Sequence, residues 1–134
     1  MDSSSAMNLN IDNEMGTTTK PAKLLTMDRY ETWKENFENW VQAHHLTSWL
    51  ALNGDIEFVW PKGDKDVPLT LDKFSPDDTA KYIAEKKMVS LIQQSVREEI
   101  LVLLPKYDTA KELWDNLKAK FYGSDEMMKS KKDL

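Results

Sequence analysis

The sequence predicts an all-α protein, a small helical bundle of about five helices, and three observations carry that expectation. Aromatic and aliphatic residues recur at steps of three and four over several stretches. Helix-start signals precede those stretches. A Pro- and Gly-marked loop separates two of them. The 134 residues suit one small domain with a tail, and 40% hydrophobic residues with five Trp, four Phe and four Tyr suffice for a core.

Residues 1–22 are polar, rich in Ser, Thr and Asn, and read as a disordered N-terminal tail. The domain proper is expected over 23–134. Tyr30, Trp33, Phe37, Trp40, Val41 and His44 mark the face of a first helix starting near Thr26 to Asp28. Asp28 followed by Glu31 has the form of a capping box there. Leu46, Trp49, Leu50 and Leu52 mark a second short helix, ended by Asn53-Gly54.

Residues 55–74 break the periodicity with Pro61, Gly63 and Pro68 and read as one long loop, expected to be the most mobile internal part. Within it, Ile56 to Trp60 has the composition of a short strand or hairpin arm. Ser75-Pro76-Asp77-Asp78 is the clearest helix start: a capping hydroxyl, a proline needing no donor, and two carboxylates at the positive helix end. Ala80, Ile83, Ala84, Lys87, Met88, Leu91, Ile92 and Ser95 then mark one face of a helix running to about Val96.

Glu98 and Glu99 favour a short helix over the run Ile100 to Leu104 before Pro105. Thr109 with Glu112 forms a capping box for a helix carrying Ala110, Leu113, Trp114, Leu117 and Phe121, with Gly123 as its stop. Ser124-Asp125-Glu126 then begins another helix. The chain ends inside that unfinished amphipathic pattern, which predicts a fragment truncated at its C-terminus.

Two segments resemble one known family. Leu25 to Lys34, with Tyr30-Glu-Thr-Trp33-Lys34, resembles the opening of Copia-type retrotransposon Gag polypeptides. Thr109-Ala110-Lys111-Glu112-Leu113-Trp114, Leu117 and Phe121-Tyr122 resemble a later segment of the same family, and Ala84 to Ile92 with Ile100 matches the helical block between. The resemblance covers roughly residues 24–134. It implies a capsid domain that self-associates into virus-like particle shells around element RNA. It also implies a downstream Cys-Cys-His-Cys zinc knuckle as the main RNA binder. That knuckle is not in this chain, which has no Cys. A nucleic-acid-binding module, or a host-domesticated protein-interaction module derived from such a Gag, is the alternative. In the second of these the aromatics around Phe58 and Trp60 line a peptide groove.

The residues themselves point away from enzyme chemistry, and no catalytic, cofactor-binding or metal residues are assigned. His44-His45 are adjacent and point apart on a helix. Asp77-Asp78 and Glu98-Glu99 read as helix-end charges. Tyr30, Trp33, Leu113, Trp114 and Leu117 are expected to pack in the core. Lys118, Lys120, Lys129, Lys131 and Lys132 form the candidate RNA contact, although the net charge of −5 weighs against a broad phosphate-binding surface. Neither a secretory signal nor an apolar run of membrane-spanning length is present, so a cytoplasmic location and no membrane partner are expected. The run Ile100 to Leu104 is a candidate for surface covered by a second copy.

Overall fold

A computed structural model describes residues 15–54 and 56–133, with only the backbone described over 124–133. Among the described residues it is an all-α bundle with five α-helices: α1 (Tyr30–His44), α2 (Leu46–Asn53), α3 (Pro76–Ser95), α4 (Glu98–Leu101) and α5 (Ala110–Asp133). Three short 3-10 turns lie at Met27–Arg29, Asp64–Asp66 and Leu71–Lys73. Among the described residues there is no strand, only isolated bridges between Leu24 and Val96 and between Lys62 and Pro68.

The long helix α3 packs against α2 and α5, and α1 packs against α2. Large rings close the remaining gap between α1 and α5. Trp33 and Phe37 each lie 5.6 Å from Trp114, and Tyr30 stacks on Phe121 at 4.9 Å. The core is continuous, running from Leu24 through Phe37, Met88 and Ile92 to Leu113 and Leu117, all fully buried. Burying a Phe- or Leu-sized side chain contributes about 1.5–3 kcal/mol, so this cluster is the main source of stability.

Ser75 begins α3 as its residue type requires. Its hydroxyl accepts from the Asp78 N–H at 3.0 Å and donates to the Asp78 carboxylate at 2.9 Å. Gly54 ends α2 at φ +90° and returns its N–H to the Leu50 carbonyl. At α5, Thr109 Oγ1 accepts from the Glu112 N–H at 3.1 Å, while the Glu112 carboxylate turns back to the Asp108 N–H at 2.8 Å.

Several expectations are corrected. The Asp28–Glu31 capping box does not form: α1 is entered through the Met27–Arg29 turn, and no side chain caps it. Gly123 does not stop α5, and the separate helix expected from Ser124 is its continuation. One glycine costs a helix only about 1 kcal/mol, and Met127 to Lys132 beyond it are mostly good helix formers. Residues 56–60 pair with no strand. The antiparallel bridge of this loop comes later, between Lys62 and Pro68, where Leu69 donates to the Pro61 carbonyl at 3.0 Å.

The tail expectation divides. Residues 1–14 lie outside the described residues. Thr17 to Ala22, by contrast, form a strap over α1. The indoles of Trp40 and Trp33 donate to the Thr17 and Ala22 carbonyls, the latter at 3.1 Å. Pro21 and Ala22 are fully buried. Leu24 then bridges to the end of α3, donating to the Ser95 carbonyl at 2.7 Å and accepting from Arg97 at 3.1 Å.

Candidate functional site

The internal loop carries the most distinctive side-chain arrangement outside the core. Phe58, Trp60, Phe74 and Tyr82 make a closed set of four rings, with all six centroid separations between 5.2 and 6.0 Å. Most pairs are edge-to-face, the arrangement that ring quadrupoles favour. Trp60 Nε1 donates to the Leu69 carbonyl at 3.0 Å, which ties one limb of the loop to the other. The loop expected to be most mobile is therefore fastened to α3 through Tyr82.

Phe58, Trp60 and Tyr82 also form one wall of a groove of about 580 Å³ between the loop, the end of α2 and the start of α5. Its rim mixes charges, with Glu57, Asp108, Lys86 and Lys111. Two of these are engaged within the chain: the Lys86 ammonium sits 5.6 Å over the Tyr82 ring, and Lys111 pairs with Asp115 at 2.7 Å. An apolar wall with scattered polar groups suits a peptide-like or small organic ligand.

A second surface is the tip after α4. The hydrogen bonds Val102 N to Glu98 O (3.0 Å) and Leu103 N to Ile100 O (3.1 Å) coil it tightly. Ile100 turns inward. Val102 and Leu103 are left 70% and 64% exposed. The tip is anchored from behind, where Asn116 donates to the Pro105 carbonyl at 3.2 Å and Gln93 to the Tyr107 hydroxyl at 2.6 Å. Leu46 and Ile83 form another exposed apolar pair, sharing a shallow groove with His44, His45 and Lys87.

The family-motif residues Tyr30, Trp33, Leu113, Trp114 and Leu117 meet in one place, the core between α1 and α5. They are packing residues. Of the candidate RNA contacts, Lys118 is exposed and Lys120 half-buried, whereas the side chains of Lys129, Lys131 and Lys132 lie outside the described residues. Lys118 shares its notch with Glu38 and Asp115 as well as Lys34, so its surroundings are mixed in sign.

His44 and His45 both stack on Trp40, at 4.9 and 5.3 Å. Burial lowers the His45 pKa, and the neighbouring Lys87 and His44 charges lower it further. Asp77 and Asp78 lie in the first turn of α3 and Glu98 and Glu99 in that of α4. Among the described residues no group of three or more His, Cys, Asp or Glu is placed to hold a metal, and no helix is long and apolar enough to cross a membrane.

Sequence reading missed Tyr82 and Glu85. Tyr82 lies off the apolar face of α3, so periodicity gives no reason to single it out. Glu85 accepts the Ala110 N–H at the start of α5, too far along the chain to leave a local pattern. Comparison of the chain with protein-family models, curated proteins and solved structures gives no match.

Proposed function

We propose that this chain is a Gag-type capsid domain that works in the cytoplasm by self-association, without catalysis. One observation supports it most. The two segments that resemble Copia-type Gag, far apart in sequence, are packed ring against ring through Trp33 and Trp114. Residues in the resemblance thus serve a shared structural purpose, as they would in a family defined by its fold.

Self-association would run through apolar residues that the bundle leaves outside. Val102 and Leu103 sit on an anchored tip, and Leu46 and Ile83 on a separate groove. Two unlike patches on one chain permit head-to-tail contacts, which close into rings or extend into lattices. Repetition lets each contact be weak.

Light scattering across a concentration series tests this reading. The expected result is a mass that rises with concentration. A strict monomer at every concentration counts against it, and turnover of a substrate by the purified chain ends it.

A further inference from the structure

Tyr30 presents a chemical imbalance that packing does not explain. Its ring stacks on Phe121 at 4.9 Å and lies 6.0 Å from Trp33. A phenylalanine would serve both contacts. Yet Tyr30 carries a hydroxyl, 98% of the residue's surface is covered, and this oxygen is the one buried side-chain polar atom among the described residues without a hydrogen-bond partner. An unpaired buried hydroxyl is destabilising and rare in folded proteins.

The surroundings indicate what the hydroxyl is for. Tyr30 lines a notch of about 270 Å³ between α1 and α5. The other walls are Tyr122 and the polar stripe of α1: Glu31, Lys34, Glu35 and Glu38. Three carboxylates thus stand against one lysine. Burial raises the Glu38 carboxyl pKa, Lys34 opposes that rise, and Glu35 adds to it. Glu38 therefore lacks full compensation for its charge. The groups that bear electrostatically on the Tyr30 hydroxyl are Tyr122, Glu38, Asp115 and Glu31, which are acceptors or anions.

A bare metal ion does not suit this arrangement, because its acidic groups are not gathered into a metal-holding set. A planar cation with several divergent donors does. Guanidinium offers five N–H groups in a rigid fork, enough to meet separated carboxylates and a phenol oxygen together.

We propose that the notch between α1 and α5 binds an arginine side chain presented by a partner polypeptide. Glu35 and Glu38 take the charge, and Tyr30 Oη accepts one N–H. Tyr122, 46% exposed, is the wall that must move to admit it, because the Tyr30 oxygen is itself sealed from solvent. The inference stands independently of self-association, since it uses neither the α4 tip nor the Leu46 groove.

Calorimetric titration of the whole chain with a hexa-arginine peptide tests the site. Glu38→Gln and Tyr30→Phe are each expected to weaken binding roughly tenfold, the scale of a hydrogen bond to a charged group. Tyr30→Phe should leave the melting temperature unchanged or higher. Glu57→Gln, on the other groove, should leave affinity within about twofold, as a surface charge outside the site would. Resonances of the Tyr30 and Tyr122 rings should shift on titration, which reads the site without mutation. Equal weakening by Glu57→Gln would reveal only diffuse attraction to an acidic protein and overturn the proposal. So would wild-type affinity in Tyr30→Phe, absence of binding at low salt, unmoved tyrosine resonances, or the same shifts produced by magnesium chloride alone.

Discussion

Glu85 of α3 accepts the backbone N–H of Ala110, the first residue of α5, at 2.6 Å. The start of one helix is thus capped by a carboxylate from another. That contact does two things at once: it satisfies an orphan donor at a helix start, and it fixes the position of α5 along α3. Glu85→Ala should therefore cost about 1–2 kcal/mol, as loss of a capping group does. Glu85→Gln keeps the acceptor and loses only the charge, so its cost should be nearer 0.5 kcal/mol. Urea unfolding of both variants checks the ordering; equal costs would mean that the hydrogen bond carries none of the effect.

Trp33 and Trp114 join the two ends of the domain. Trp33→Phe and Trp114→Phe remove area and break the 5.6 Å contact, and Trp33→Phe also strands the Ala22 carbonyl. Each single variant should lose about 1–3 kcal/mol. The double variant should lose less than the sum, by about 0.5–1.5 kcal/mol, the coupling of an aromatic pair. Additive losses in a denaturant cycle would show that the rings pack independently.

Burial pushes the Tyr30 pKa from 10.0 to about 12, with Tyr122, Glu38, Asp115 and Glu31 adding to the rise. Because the folded value lies above the unfolded one, the stabilisation is complete below pH 10 and is lost as pH climbs through 12. Discounted for solvent screening, the difference corresponds to about 1–2 kcal/mol. Against Tyr30→Phe, the wild type should lose that much more stability between these limits. Parallel stability curves for the two proteins over that range would refute the assignment.

These residues show how far the sequence alone could be read. The α3 start was legible because Ser75, Pro76 and Asp77 act on their own helix, within one turn. The buried face of α1 was legible because ring spacing follows helical periodicity. The strap from Thr17 to Ala22 was not, because its acceptors are backbone carbonyls, identical at every position. Phe58 and Trp60 sit in a stretch of strand-forming types, yet no strand lies beside them, and their partners Phe74 and Tyr82 come from later in the chain. The resemblance located Tyr30 and Trp114 but could not reveal that one would carry an unpaired hydroxyl.

Val102 and Leu103 should matter to association and little to folding. They are 70% and 64% exposed, so Val102→Ser with Leu103→Ser removes surface apolar groups without opening a cavity. Their combined effect on monomer stability should stay within about 1 kcal/mol, twice the usual range for a surface site. Under the proposed function, the concentration dependence of mass should fall sharply in this variant. Unchanged association would place the contact elsewhere, with Leu46 and Ile83 next in line.

Gly16 governs the strap. Its φ is +82°, in the left-handed region that L side chains avoid. A Cβ there would stand 2.8 Å from Trp40 Cδ1, 2.9 Å from the Ala22 nitrogen and 2.9 Å from the Lys20 carbonyl oxygen. Two of those three atoms are backbone and cannot rotate away, so the strap itself must move. Gly54 provides the comparison: its φ is +90°, but an added Cβ meets nothing within 4 Å. Gly54→Ala should cost about 1 kcal/mol, from backbone conformation alone. Gly16→Ala should cost about 2–3 kcal/mol or detach the strap. Detachment has its own signature, because Thr17 would no longer accept from the Trp40 indole. The indole N–H of Trp40 should then exchange faster with solvent, while the exchange of Trp60, far from the strap, is unchanged. Equal costs at the two glycines, with Trp40 still protected, would show that the strap yields without resistance.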